Sequence, residues 1–166
     1  MKNKKVYLTD FEIKVLKNNF SSTFLWNQKK VEYILNSGSK NRKIILFIFI
    51  TENMNRGGIL NYTLERLILF LFPNFIKRYN LSIGPFQMKP SFLDFYAPYI
   101  DISKFFDLDY CILVLDNFLA YTNYLEIDQQ LSLYHSGEID NRCKSTHIYI
   151  YLYKWFENYF INMKNQ

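Results

Sequence analysis

The most apolar stretch of the chain lies within residues 43–56, KIILFIFITENMNR, and it is followed directly by polar residues. The seven uncharged residues 44–50 are too few to cross a bilayer, which needs about 20, so they predict a buried core segment. Thr51, Glu52 and Asn53 follow directly. A carboxyl that is held half-desolvated at such a place is suited to act as a general acid. Glu52 is therefore the candidate catalytic residue.

The length and charge of the chain set the broad class of protein. A chain of 166 residues predicts one domain with a substantial core. The formal net charge of +5 favours an anionic partner such as nucleic acid, an acidic envelope polymer or a membrane surface. Much of that excess lies in Lys2, Lys4 and Lys5, so residues 1–8 are predicted to be a flexible basic tail. No apolar segment follows them, so no signal peptide is visible.

Helical periodicity recurs along the chain and predicts a mainly α fold. Thr9 and Glu12 have the spacing of a capping box, which predicts a first helix to about Phe20. Residues 41–54 have strand propensity as well, but their length and the lack of a partner hairpin favour a buried central helix. A short helix is predicted from a cap at Ser91 to before Pro98. Other predicted helices cover 26–36, 61–79 with a kink or end at Pro73, 109–123, 128–135 and 145–162. The whole of 1–166 is predicted to be a single domain.

Two further motifs follow Glu52 in order: residues 82–90, SIGPFQMKP, and residues 133–138, LYHSGE. Together the three resemble the lysozyme-like superfamily, in particular the SLT-type lytic transglycosylases and goose-type lysozymes. That family has a glutamate closing an apolar helix, a Gly-x-x-Gln-hydrophobic-x-Pro loop and an Ala-Tyr-Asn-Ala-Gly motif. The resemblance covers residues 43–141. It implies a lysozyme-like helical domain with a buried central helix and an active-site cleft.

The resemblance also implies an activity, which is cleavage of the β-1,4 MurNAc-GlcNAc bond of peptidoglycan. Glu52 would protonate the glycosidic oxygen and then act as the base. The implied substrate-binding residues are Ser82, Gly84, Gln87, Met88, Tyr134, His135 and Gly137. Gln87, on a loop opened by Gly84, would line the sugar groove beside the apolar side chain of Met88. Tyr134 would bring its hydroxyl near Glu52, and Gly137 would permit the turn that allows this.

The chain departs from the family pattern at several positions. Asn53 stands where serine is usual, and His135 and Ser136 replace asparagine and alanine. Glu52 and Gln87 are 35 positions apart, which is longer than in the family and implies that the helix over 61–79 is an insertion. Glu65 is the alternative acid, although its place beside Arg66 is typical of a solvated pair on a helix face.

Several functional alternatives stay open. Water as the attacking group would make the protein a lysozyme, and attack by the muramyl 6-hydroxyl would make it a transglycosylase. A catalytically silent glycan-binding or scaffold protein of the same fold is the alternative to an enzyme. No motif or basic stripe supports nucleic-acid binding.

The expected partners are therefore peptidoglycan strands, in the cell envelope, with no integral membrane segment. Neither a cofactor nor a metal is expected, because His135 and His147 lack ligands at metal-binding spacing. Cys111 and Cys143 are expected to be free thiols, although one disulfide is compatible with the sequence.

Overall fold

The computed structural model describes residues 8–57 and 59–164, and within them the fold is mainly helical, as predicted. The α-helices are α1 (Asp10–Trp26), α2 (Gln28–Leu35), α3 (Arg42–Arg56), α4 (Ile59–Leu71), α5 (Pro73–Tyr79), α6 (Pro90–Tyr96), α7 (Leu108–Tyr121), α8 (Ile127–Ser136) and α9 (Lys144–Lys164), and a 3₁₀ helix covers Ile102–Phe106. No β-strand occurs in these described ranges. The prediction of a mainly α fold is confirmed at this level.

The described residues form two compact units. The central unit is Thr23–Tyr121, and the terminal unit consists of the described parts of Met1–Ser22 and Thr122–Gln166. Glu52, Ser82, Gly84, Gln87 and Met88 belong to the central unit. Tyr134, His135 and Gly137 belong to the terminal unit.

Helix α3 is the most deeply buried element of the central unit. Each of the six residues from Ile45 to Ile50 has an exposed fraction of 0%, so this part of the helix is enclosed on every side. The segment has β-branched residues, but a helix satisfies all its backbone hydrogen bonds internally, which suits complete burial. The predicted buried helix is confirmed here, and α2 packs against it.

Proline decides two helix boundaries, the first as predicted and the second not. Pro73 ends α4 and is the first residue of α5, where its missing N–H removes no helical hydrogen bond. Pro90 in the same way begins α6, so the residue before the helix is Lys89 and the predicted cap at Ser91 is wrong. The Ser91 side chain instead accepts a hydrogen bond from Nδ2 of Asn80 at 2.9 Å.

The terminal unit is built around α9, which begins with a strand-like alternation but is helical, as predicted. Phe20 packs edge-on against Trp155 and also contacts Phe156. The Thr9–Glu12 capping box is confirmed, with the Thr9 N–H donating to Glu12 Oε2 at 2.8 Å and the Glu12 N–H donating to Thr9 Oγ1 at 3.2 Å. Helix α1 continues past the predicted end at Phe20 to Trp26.

Three sequence predictions concern the chain as a whole. The predicted basic tail, apart from Leu8, lies outside the described residues. Cys111 and Cys143 are free thiols, the first buried and the second exposed. Among the helices of the described ranges, none has the length and apolar character needed to span a membrane.

Candidate functional site

Glu52 lies on α3, four residues before the helix ends at Arg56. It follows the enclosed apolar run and is itself buried, with an exposed fraction of 9%. Glu52 also interacts electrostatically with the Arg56 guanidinium, which is one helical turn further along the same face. A carboxyl in this position is largely removed from water and faces a cation.

The turn of α3 that carries Glu52 contacts the loop that carries Gln87. The side-chain amide of Asn53 donates to the carbonyl oxygen of Pro85 at 2.7 Å and to that of Phe49 at 2.6 Å. The Phe49 ring also packs against the Phe86 ring, with centroids 5.5 Å apart. The first two of the three sequence motifs are therefore neighbours within the central unit.

The loop from Ile83 to Met88 has a closed and specific backbone. Ile83 and Met88 exchange two backbone hydrogen bonds, of 3.0 and 3.1 Å, and within the loop the Gln87 N–H donates to the Gly84 carbonyl at 3.0 Å. Gly84 has φ +85° and Gln87 has φ +50°. A Cβ on Gly84 would lie 2.2 Å from the carbonyl oxygen of Phe105. Glycine is thus required here by both backbone conformation and space.

Glu65 fixes this loop to α4, and its interpretation as a solvated pair with Arg66 is wrong. Its carboxylate accepts hydrogen bonds from the Gly84 N–H at 3.0 Å and from Nε2 of Gln87 at 3.1 Å. It also forms an ion pair with Arg56, in which Nε lies 3.2 Å from Oε1. The side chains of Arg56 and Glu65 are only 3% and 16% exposed. Glu65 therefore connects α3, α4 and the Gln87 loop.

Three cationic side chains surround the ring of Tyr62 in the same unit. Lys30 Nζ and Arg56 Cζ each lie 4.8 Å from its centroid, and Arg66 Cζ lies 5.3 Å from it. Burial lowers the pKa of Lys30, and the charges of Arg56 and Arg66 lower it further. Burial also lowers the pKa of Arg56, against the opposing influence of Glu65, Tyr62 and Glu52. Three cations thus lie around one aromatic ring, and one of them, Arg56, is paired with Glu65.

The predicted substrate-binding residues of the central unit are largely engaged within the protein. Nε2 of Gln87 donates both to Glu65 and to the carbonyl oxygen of Gly84. Met88 has an exposed fraction of 2%, so it packs in the core and not along a groove wall. Gly84 is buried and Ser82 is half-buried.

The third motif forms the end of α8 in the terminal unit. Gly137 ends the helix in a left-handed conformation with φ +80°, and its N–H donates to the Leu133 carbonyl at 2.8 Å. His135 stacks on Tyr149 with ring centroids 4.7 Å apart, and burial lowers the pKa of its imidazole. Tyr134 is half-buried. The convergence of Tyr134 with Glu52 and Gln87 stays a prediction.

The terminal unit also has a cleft, lined by both polar and apolar side chains, that the sequence did not indicate. Its volume is about 350 Å³, and its polar lining includes Asp128, Asp140, Arg142 and His147. Asp128 Oδ2 is bound to Lys154 Nζ at 2.5 Å. The described residues contain no group of three or more metal-ligating side chains. The four residues are spread over α8, the following turn and α9, so only the fold brings them together.

Comparison of the chain with protein-family models, with curated proteins and with solved structures finds no match in any of the three.

Proposed function

We propose that the protein cleaves the β-1,4 MurNAc-GlcNAc bond of peptidoglycan, with Glu52 as the single acid and base, in a lysozyme-like fold. The observation that carries the proposal is the contact of Asn53 with Pro85 at 2.7 Å. It brings the turn that follows Glu52 against the Gln87 loop, as the resemblance to lytic transglycosylases and goose-type lysozymes requires. The burial of Glu52 also supports the proposal, because the resemblance calls for a glutamate that is shielded from water at the end of an apolar helix.

Glu65 is a less suitable acid than Glu52. Its carboxylate already accepts from Gly84 and Gln87 and is paired with Arg56, so its oxygens are occupied by donors. The role that fits Glu65 is to hold Gln87 in place beside the substrate. The resemblance assigns proton transfer to the leaving-group oxygen to Glu52.

The proposal is tested by incubating purified peptidoglycan with the protein and with Glu52→Gln. Loss of one positioned general acid lowers the rate by about 10²- to 10⁴-fold, while glutamine keeps the shape of the side chain. Glu32→Gln is the matched control, because Glu32 is an exposed glutamate of the same unit and its loss should leave the rate unchanged. Mass spectrometry of the released fragments then separates two reactions. Fragments with 1,6-anhydro ends identify a transglycosylase, and fragments with reducing ends identify a lysozyme.

A catalytically silent glycan-binding or scaffold protein of the same fold is the second candidate. The internal engagement of Gln87 and Met88 favours the scaffold role, because it leaves these side chains less available to a sugar. A glycan-binding protein would sediment with insoluble peptidoglycan without releasing soluble fragments, and a scaffold protein would do neither. Equal fragment release by the wild type and Glu52→Gln would instead exclude Glu52 as the acid.

A further inference from the structure

Helix α4 exposes an apolar stripe to solvent. Leu60, Leu64, Leu67 and Leu71 are spaced by four, three and four residues and so share one face of the helix, with Phe70 beside them. All five are exposed, from 45% for Leu64 to 83% for Phe70. We call these five residues the α4 stripe. Soluble proteins seldom leave so many large apolar side chains together in water.

The exposed apolar surface continues into the next helix. Phe72 precedes α5, and Phe75 and Tyr79 lie on it, and all three side chains are about half exposed. The rings of Phe75 and Tyr79 contact one another, with centroids 4.5 Å apart. Aromatic side chains of this kind are enriched where a protein meets the boundary between lipid and water.

Apart from Glu65, which is only 16% exposed and is engaged with Arg56 and Gly84, the charged residues of α4 and α5 are cations. Residues 66–80 contain Arg66, Lys77 and Arg78 and no acidic residue. Within the described ranges none of these three cations forms an ion pair with a carboxylate. Arg66 lies instead over the Tyr62 and Phe106 rings, and Arg78 over the Tyr79 ring. The segment thus combines exposed leucine and aromatic side chains with uncompensated positive charge.

We propose that the α4–α5 surface docks on a membrane face that carries anionic phospholipids. The α4 stripe and the α5 aromatic side chains would enter the boundary between headgroups and acyl chains. Lys77 and Arg78 would meet the lipid phosphates, an arrangement typical of helices that lie in the plane of a membrane. The inference is independent of the proposed glycan cleavage.

A second copy of the chain fits this surface less well. In a symmetric dimer the same patch meets itself, which would bring two sets of three cations together without a carboxylate between them. The leucine spacing also covers only two heptads, whereas a coiled coil usually sustains three or four. Charge complementarity therefore favours anionic lipid over self-association.

The test is co-sedimentation of the full chain with phosphatidylcholine vesicles made with and without phosphatidylglycerol. The wild type should bind the anionic vesicles, and added salt should weaken the binding. Lys77→Gln with Arg78→Gln should lower the affinity for anionic vesicles about 30-fold, because each basic residue near the surface contributes about a fivefold effect. Leu67→Gln with Phe70→Gln should abolish the binding.

Matched controls lie on exposed surfaces of the same unit. Lys40→Gln with Arg42→Gln removes two exposed cations elsewhere, and Leu113→Gln removes an exposed leucine of α7. Both controls should bind like the wild type, and circular dichroism should show that every variant is folded.

Three results would overturn the proposal. The first is failure of the wild type to bind anionic vesicles. The second is equal binding by the wild type and Leu67→Gln with Phe70→Gln. The third is a dimer in sedimentation velocity that these substitutions dissociate, in a protein that does not bind vesicles, which would identify the stripe as a self-association surface.

Discussion

The carboxylate of Glu65 accepts a hydrogen bond of 3.0 Å from the backbone N–H of Gly84, which is 19 positions further along the chain. This hydrogen bond fixes the start of the Gln87 loop to α4. Because Glu65 also faces the buried guanidinium of Arg56, one side chain determines both the position of the loop and the charge balance behind it. The stability of this region should therefore depend on Glu65 more than on an ordinary helix-surface glutamate.

Replacing Glu65 by alanine should destabilise the protein by about 3 kcal/mol. The substitution leaves the Arg56 guanidinium buried without its counter-charge, and breaking a buried pair in this way is strongly destabilising. Glu65→Gln should have an intermediate effect, because an amide oxygen still accepts from Gly84 but no longer compensates the charge of Arg56. Urea unfolding measures both free energies.

The control for Glu65 is Glu32→Ala, which removes an exposed glutamate of α2 and should change the free energy of unfolding by no more than about 0.5 kcal/mol. If Glu65→Ala had an effect as small as that of the control, the side chain would not hold the loop.

Gly84→Ala should cost at least about 2 kcal/mol of folding free energy. The new alanine would have to adopt φ +85°, and its Cβ would lie 2.2 Å from the Phe105 carbonyl oxygen. Backbone strain and a steric clash therefore add together. Gly38→Ala is the matched control, because Gly38 has φ +75° but no atom within 4 Å of its added Cβ. It should cost only about 1 kcal/mol. Equal losses in thermal unfolding would show that the contact with Phe105 contributes nothing.

Stability should fall when the pH drops below the ordinary pKa of histidine, and His135 should contribute to the loss. Burial lowers its pKa in the folded state, so the unfolded chain binds a proton at a higher pH than the folded one. The contribution is therefore fully present above about pH 6.5 and is lost as the pH falls through the folded pKa, with a slope of up to about 1.4 kcal/mol per pH unit. Urea unfolding of the wild type and His135→Gln over this range measures the difference.

His147→Gln serves as the control for this pH effect, because His147 is exposed. It should keep the pH dependence of the wild type. If His135→Gln showed the same pH dependence as the wild type, the imidazole would titrate alike in the folded and unfolded states.

The two cysteines should differ in reactivity. Hydrogen bonds from Ser145 and Thr146 lower the pKa of the exposed Cys143 thiol to about 7, whereas burial raises the pKa of Cys111. Iodoacetamide should therefore modify Cys143 in the native protein and Cys111 only after unfolding, as peptide mass spectrometry would show. The rate at Cys143 should level off above about pH 8, since the thiolate is then fully formed.

Ser145→Ala removes the hydroxyl that is 3.0 Å from Cys143 Sγ and should shift the midpoint of this rate profile to higher pH. A wild-type rate that continued to rise steeply beyond about pH 9 would contradict the lowered pKa.

The sequence was sufficient to predict those features that depend on local chemistry. The apolar run before Glu52 predicts a buried helix, Thr9 and Glu12 predict a capping box, and Pro73 predicts the end of α4. Each of these follows from interactions within a few residues, and each is seen in the structure. Ser91 is an exception, because the helix begins at Pro90, two residues earlier than a cap at Ser91 predicts, and the serine lies inside the first turn.

The features that the sequence did not predict depend on residues distant in the chain. In the sequence, Glu65 has the pattern of a solvated helix residue. In the fold it bonds to Gly84 and Gln87, which are 19 and 22 positions away. Periodicity also cannot show that Arg56, Arg66 and Lys30 meet at one tyrosine ring, since they lie on three helices. Such contacts are set by tertiary packing, which produces no pattern of fixed spacing in the sequence.

The enclosure of residues 45–50 of α3 has an evolutionary consequence. A helix with one solvated side accepts polar replacements at every third or fourth position, so that tolerated and forbidden sites alternate along it. Here each of six successive side chains is fully buried, so no position in that interval can place a polar group in water. Substitutions in this segment are therefore confined to exchanges among apolar residues of similar volume. Related sequences should keep all six positions apolar, without the three- to four-residue periodicity of a half-exposed helix.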